Sequence, residues 1–294
     1  METTLVKRFV GAQRQAQLWL IVTSLASATG CAAKRTIAPV TGPLKGITFA
    51  EVDARAETVR RDPLQYLHEV AAKCRALEQY TVNFTRQERR GLVFKSLREP
   101  EHITCKFRRQ PFSIYMKWLD PDIKYGESTF VEGQQDDKVR FVPRRGLFGL
   151  PPKITRVDLQ TPVTWGEANY PLTEFGLARM MERTLANVER AGDDLAISYC
   201  GLTKLSEYGG VVHYLQLDFP PSQHKAPVQE LFIDVETDLP VCTRILYSSG
   251  KLEAAYVWAD VNPNITLTDD DFLLEAERAQ RDQETRATTV SDVE

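Results

Sequence analysis

Histidine is scarce in this chain: four residues in 294, at positions 68, 102, 213 and 224. So few, so far apart, exclude a histidine-rich metal centre. No apolar run approaches the roughly 20 residues that a membrane-spanning helix needs. There is no basic surplus either. The 37 Lys and Arg face 40 Asp and Glu, a net charge of −3, which excludes the electrostatic footprint of a general nucleic-acid binder. The five cysteines contain no CxxC pair, which removes the common zinc and redox spacings. Gly and Pro, 16 of each, are too few for a fibrous chain, and 43% hydrophobic residues are too many for a disordered one. GxSxG, P-loop, GxGxxG, HExxH and EF-hand patterns are missing. The sequence therefore carries no local signature of an enzyme and implies no cofactor. Paired carboxylates drawn from distant strands would leave no such signature.

What is present begins at the front. Lys7, Arg8 and Arg14 precede a short apolar run, Leu18 to Ala26, which ends in Ser27-Ala28-Thr29-Gly30-Cys31. A basic head, a short hydrophobic middle and small residues describe a secretory signal peptide over residues 1–30. The cysteine after it resembles a bacterial lipobox, in which this thiol is lipidated and the chain is cut before it. Ala28 stands where lipoboxes usually carry Leu, Val or Ile. An incidental cysteine behind an ordinary signal, or in a buried N-terminal helix, is the alternative. Acyl chains at Cys31 would anchor the protein to a membrane, each buried methylene contributing about 0.8 kcal/mol. Ala32, where Asp would suggest inner-membrane retention, favours the outer membrane facing the periplasm. Pro39, Gly42, Pro43 and Gly46 make residues 31–58 read as a tether. Export permits disulfides among Cys74, Cys105, Cys200 and Cys242, in three possible connectivities. Isolated cysteines on apolar faces equally serve as small buried hydrophobes.

Asp62-Pro63 opens a helix, and Leu64, Leu67, Val70, Ala71, Cys74 and Leu77 give it one apolar face to about residue 78. The period then changes to two. Tyr80, Val82 and Phe84, then Ile103, Cys105 and Phe107, then Phe112, Ile114, Met116 and Trp118 alternate with mostly polar neighbours, the mark of half-buried antiparallel strands. Shorter strands are predicted near 126–132 and 138–143. Residues 144–170 lose the pattern. Their apolar loop, with Leu147, Phe148 and Leu150, is expected to tuck into a core or lie over a cavity mouth. A second helix is predicted from Pro171 to about Val188, weakened by Gly176 and ended at Ala191-Gly192.

Strands resume around Leu195–Tyr199, Leu215–Phe219 and Leu231–Val235. A last pair, at 241–248 and Leu252–Trp258, is joined by the hairpin turn Ser249-Gly250. The charged segment 276–294 reads as a flexible tail. The fold class is α+β, with about ten antiparallel strands in a strongly curved, unclosed sheet and two or more helices over its concave side. A sheet that long must curl or split, and the body spans residues 59–275.

The run Ala76-Leu77-Glu78-Gln79-Tyr80-Thr81-Val82-Asn83-Phe84-Thr85-Arg86-Gln87 resembles the opening of bacterial outer-membrane lipoprotein carrier domains of the LolA and LolB type. Phe107-Arg108-Arg109-Gln110-Pro111-Phe112, continuing to Trp118, looks like their basic-Pro-aromatic strand pair. Phe130-Val131-Glu132-Gly133 and the closing Val261-Asn262-Pro263 through Phe272 match in order. Over about 60–275 the chain resembles the bacterial family called domain of unknown function 1571. The resemblance implies an unclosed barrel with a helical lid and a hydrophobic cavity for acyl chains. It also implies a lid contact for Arg108 or Arg109, the offset at Gln110 leaving the choice open. Ordinary solvent-facing arginines are the alternative. The insertion at 144–170 matches neither carrier type.

Two functions follow as expectations. In the first, an envelope lipoprotein, acting as a monomer, buries acyl chains of a lipid or lipoprotein against Phe107, Ile114, Met116, Trp118, Leu217 and Tyr256. In the second, a filled core makes the same sheet a non-catalytic interaction module. A cavity of roughly 300 Å³ or more separates them. Arg86, Arg89, Arg90, Lys95, Arg98, Lys106, Arg108 and Arg109 form a basic region that would suit anionic headgroups, but Glu88, Glu99 and Glu101 dilute it and it reads as a solvated face. Asp269-Asp270-Asp271 lacks the ligand spacing of a calcium loop and reads as a solvated turn.

Overall fold

The computed structural model describes residues 48–146 and 151–291. The signal peptide, Cys31, most of the tether, and Leu147, Phe148 and Leu150 lie outside the described residues. The helices are α1 (Phe49–Arg61), α2 (Pro63–Ala76), the one-turn α3 (Thr161–Thr164), α4 (Leu177–Ala191) and α5 (Glu275–Ser291). The strands are β1 (Gln79–Arg90), β2 (Ser96–Leu97), β3 (Glu101–Arg108), β4 (Ser113–Trp118), β5 (Tyr125–Val131), β6 (Val139–Pro143) and β7 (Thr155–Val157), then β8 (Ala196–Lys204), β9 (Val211–Asp218), β10 (Val228–Asp234), β11 (Pro240–Leu246) and β12 (Leu252–Asn262).

All twelve strands join one antiparallel sheet in the order β7-β6-β5-β4-β3-β1-β12-β11-β10-β9-β8, with β2 attached to β1. The end strands β7 and β8 do not pair, so the barrel is open. Twelve strands replace the expected ten because β2 and β7, two and three residues long, are too short to show a period. At the centre, β1 lies between β3 and β12, with Phe84 opposite both Ile103 and Trp258.

Each helix forms where its ends are satisfied. Thr48 and Glu51 make a reciprocal capping box for α1, the Thr48 hydroxyl accepting from the Glu51 amide and the Glu51 carboxylate from the Thr48 amide. This helix begins inside the segment read as a tether and is no linker, since Val52, Ala56 and Val59 are buried. Asp62 ends α1 and caps α2 by accepting from the Gln65 amide, with Pro63 in the first turn. At the far end of α2, Arg109 donates to the carbonyls of Leu77 (2.7 Å) and Cys74 (3.2 Å), meeting the orphan carbonyls and negative end of the helix.

The core lies between the concave face and α2 packed on α4. Leu67, Val70 and Cys74 of α2 and Leu177, Met181 and Val188 of α4 meet strand residues such as Val82, Cys105, Ile114, Leu217 and Leu231. Two smaller clusters cover the convex face. Ile265, Leu267 and Phe272 of the C-terminal arm close over Tyr115 and Val131. On the other half, Leu205 and Tyr208 close over Val212, Phe232 and Val257. The acidic triplet fastens this arm, with Asp269 on Arg108, Asp270 on Arg281 and Asp271 on Lys106. The tail read as flexible is helical as α5, and its first turn is tied down by Lys117–Glu275 and Arg140–Glu277. Cys74, Cys105 and Cys242 are buried free thiols, and burial pushes Cys74 and Cys242 up to about 12. They serve as small hydrophobes.

One aspartate clamps the helical hairpin to the sheet. Asp238, in the β10–β11 turn, accepts from the Tyr66 hydroxyl (3.0 Å), from Arg55 (2.9 Å) and from Lys73 (2.5 Å). Below it His213 is fully buried, accepting or donating at Nδ1 with the Tyr199 hydroxyl (3.0 Å). Asp238→Ala is expected to lower the unfolding free energy by about 2 kcal/mol, because Tyr66 loses its partner while the half-exposed cations lose little; urea unfolding checks it, and Asp238→Asn should cost less. Desolvation lowers His213 to about 4 from 6.5, against a smaller opposite pull from Asp238. The unfolded chain thus takes up this proton first, and acidification from about 6.5 towards 4 weakens the fold. His213→Phe should flatten the stability–pH curve in that window.

Candidate functional site

The helices cover only part of the concave face. Gly176 shows why the chain reaches α4 as it does. Its φ is +117°, and a Cβ there would sit 3.3 Å from the Tyr80 hydroxyl and 3.4 Å from Phe107, so only glycine passes this close in that conformation. It is the N-cap of α4 rather than a weak point within it, and the Tyr80 hydroxyl accepts from the Leu177 amide (3.2 Å). The residues before it, Pro162 to Phe175, cross the other half of the concave face without packing flush. A cavity of about 140 Å³ is left beneath them.

Its walls are largely aromatic. Phe84, Trp118, Tyr256 and Trp258 form the sheet side with Met116, Tyr125 and Phe141 continue it, and Trp165, Tyr170, Leu172 and Phe175 close it from above. The rings brace one another: Phe84 meets Phe175 edge-on at 5.1 Å and lies parallel to Tyr256 at 6.1 Å, while Trp118 and Tyr125 are 5.5 Å apart. The volume is well above the roughly 10–15 Å³ needed to admit a single water. It is under the roughly 300 Å³ set above, so it suits one short apolar segment rather than a whole long acyl chain.

The upper end of the cavity is charged. On β1 the concave row continues from Phe84 to Arg86, Glu88 and Arg90. Arg86 donates to Glu101 (2.7 and 3.2 Å), Arg90 pairs with the other Glu101 oxygen and lies 3.7 Å from Glu88, and the Trp118 indole donates to Glu101 (3.0 Å). The Tyr256 hydroxyl donates to Glu88 (2.5 Å). Burial opposes the Glu101 charge, but Arg86 and Arg90 outweigh it and hold the carboxyl below the usual range. Burial, then Glu88, pushes the Tyr256 hydroxyl well up, so it stays a donor. Two cations and two anions cancel, and of this neutral network Arg86, with Tyr256, borders the cavity while Glu88, Arg90 and Glu101 lie behind it. Arg183 and Glu174, also on the wall, are likewise paired (2.8 Å). Such an arrangement can hold an apolar group and order it against fixed polar atoms. Among the described residues no group of three His, Cys, Asp or Glu could hold a metal ion.

Of the residues expected to line a cavity, Met116, Trp118 and Tyr256 do so. Phe107 is packed at 4.8 Å from Tyr80, and Ile114 and Leu217 are fully buried in the core. All three lie where α2 and α4 fill the hollow. Neither arginine of the pair faces solvent freely. Arg108 points to the convex side, on Ser113 and Asp269 with its guanidinium 4.8 Å from the Phe272 ring. Arg109 is the one that grips a covering helix. The basic region read as a solvated face is split: Lys95 and Arg98 are exposed, but Arg86 and Arg90 are inside.

The model of the family described as protein of unknown function DUF1571 matches residues 77–280. The chain belongs to that family. No curated protein sequence matches this DUF1571 chain. Among solved structures it is similar to the Pseudomonas aeruginosa MucA/MucB complex structure, at 16% identity, 72% of this chain, 61% of that chain and a TM-score of 0.42. Mycobacterium tuberculosis lipoprotein LppX gives 12% identity, 70% and 100% coverage and 0.42. A LolA superfamily protein from Nitrosomonas europaea gives 9%, 72% and 97%, and 0.32. The chain spans less than two thirds of the MucB structures it matches.

Glu101→Gln leaves two buried arginines short of an anion and is expected to cost about 3–5 kcal/mol, read by urea unfolding at neutral pH. Because the Glu101 pKa is depressed, its contribution is complete above the ordinary carboxylate value of about 4.3 and is lost as pH falls through the lower folded value. The parent should therefore lose stability below that pH more steeply than the variant.

Proposed function

We propose that this half-barrel is a non-catalytic binding domain of the bacterial cell envelope that takes an apolar segment of a lipid or lipoprotein into its cavity. The observation that carries the reading is the aromatic-walled hollow left between the Pro162–Phe175 segment and the sheet. Its retained ligand is held by burial alone. Each buried methylene contributes roughly 0.8 kcal/mol, before ordering costs reduce the gain. Arg86, which borders the cavity and is neutralised by Glu101 behind it, stops the chain at that end. The basic, apolar and small-residue leader ending at Cys31 supports export and lipid anchoring, with the domain facing the periplasm from the outer membrane. The small volume favours a second reading, an anchored interaction module that docks a partner through its surface.

Native mass spectrometry of the Cys31→Ser chain, kept free of detergent, separates the two. The binding reading expects a species heavier by a single lipid, removed by solvent extraction and restored by adding phospholipid or a free fatty acid. Met116→Trp, which fills the hollow, should abolish that species while leaving the unfolding transition cooperative. An unchanged bare mass after every lipid is offered would sink lipid binding and leave the interaction module.

A further inference from the structure

Large apolar side chains crowd one end of the barrel. At this end β1, β4, β6 and β11 finish, while β3, β5 and β12 begin. Eight large apolar side chains are exposed among the described residues, and six of them, Leu92, Val93, Phe94, Leu119, Ile154 and Trp165, stand here. Three are consecutive at the tip of the β1–β2 hairpin, where Leu92 is 74%, Val93 78% and Phe94 87% exposed. Isolated exposed apolar residues need no explanation, but a contiguous set marks an interaction site.

The tip is a built feature. Its stem is paired, Arg89 with Leu97 and Arg90 with Ser96. Gly91, at φ +143°, lets the turn fold back, since a Cβ there would lie 2.3 Å from the Phe94 carbonyl oxygen. The stem is further braced from inside by Arg90, which donates to the Glu167 carbonyl, and the Gly166 backbone packs against Gly91. A rigid stem thus holds three apolar side chains out into solvent. Around them Lys95, Arg98 and Lys251 are exposed and have no carboxylate within ion-pair distance among the described residues, and Glu99 is the one acid in residues 91–100. The whole chain is slightly acidic, so this positive rim is local. Half-exposed Trp165 belongs to this end and to the cavity wall at once.

We propose that this end of the barrel seats on an anionic lipid bilayer, with Leu92, Val93 and Phe94 inserted below the headgroups and Lys95, Arg98 and Lys251 among the phosphates. A convex apolar tip ringed by cations complements a surface that is anionic outside and apolar within. Seating there brings the cavity rim at Trp165 to the lipid. The seat concerns the outer surface only and stands whether or not the cavity holds a lipid.

The test is depth-dependent quenching in the full chain carrying Cys31→Ser, so that no acyl anchor contributes. Vesicles of phosphatidylcholine and phosphatidylglycerol in equal parts, with brominated acyl chains, are offered to Phe94→Trp and, for comparison, to Leu64→Trp on α2. The added fluorescence of Phe94→Trp is expected to be quenched severalfold more than that of Leu64→Trp. Leu92→Ser/Val93→Ser should weaken the quenching of Phe94→Trp by about tenfold in vesicle concentration. Lys95→Glu/Arg98→Glu should weaken it on these vesicles but not on phosphatidylcholine alone. These side chains are exposed, so unfolding curves should match the parent. Equal quenching at positions 94 and 64, or none at 94, overturns the seat, and binding of the tip to a protein instead would show as this second result. A cavity that retains lipid by mass while position 94 stays unquenched defeats the seat alone; quenching at 94 with an empty cavity defeats only the lipid-binding reading.

Discussion

The concave row of β1 imposes the constraint on which the rest of the molecule depends. Along one face of one strand, Tyr80, Val82 and Phe84 give way to Arg86, Glu88 and Arg90, all turned inwards by the two-residue period. Charges can be taken out of water at the centre of a sheet only if they are paired and hydrogen-bonded. The opposing strands supply the means, Glu101 lying opposite Arg86 on β3 and Tyr256 opposite it on β12. An apolar half and a charged half therefore meet inside one hollow. Helices α2 and α4, which are apolar on their inner faces, fill the first. They cannot extend over the second without stranding polar atoms, so a loop crosses there and a space remains.

That division explains what could be read from the sequence. Period-two patterning located most strands, and Asp62-Pro63 located α2, because each element is amphipathic and satisfied by its own neighbours. The apolar loop expected to tuck into a core or lie over a cavity mouth carries Leu147, Phe148 and Leu150, which lie outside the described residues; the cover seen over the cavity comes from Trp165, Tyr170 and Phe175 farther on. Failures came where local pattern was overruled or too short. The proline and glycine residues upstream masked α1, although Thr48 and Glu51 carry a capping-box signal three residues apart. The buried cluster was hidden because arginine on a strand normally means a wet face. The available clue was that Glu88 and Glu101 share a face with Arg86 and Arg90, in matching number.

The lining was legible by half. Strand alternation gives a side chain's face, but not whether a helix or empty space lies above it. Met116 and Trp118 border the hollow, whereas Ile114, two residues earlier on the same face of β4, lies under packed side chains. Likewise the motif around Pro111 left open which arginine, if either, meets a helix; Arg109 donates to the carbonyls of Cys74 and Leu77. The structure chooses Arg109 because its neighbour, pointing the opposite way, is occupied with the C-terminal arm.

The seam between β1 and β12 carries a consequence for how the chain matures. The strands from β3 to β7 form one run of neighbours close in sequence, and those from β8 to β12 form another. Within the sheet the two runs meet only through β12, the last strand made, lying against β1, the first. Pairings this distant in sequence are slow to close. Each half can gather locally, but the hollow and the ion-pair network behind it exist only after the final strand arrives. A chain emerging from its amino end thus stays without its central pairing until nearly all of it has been made.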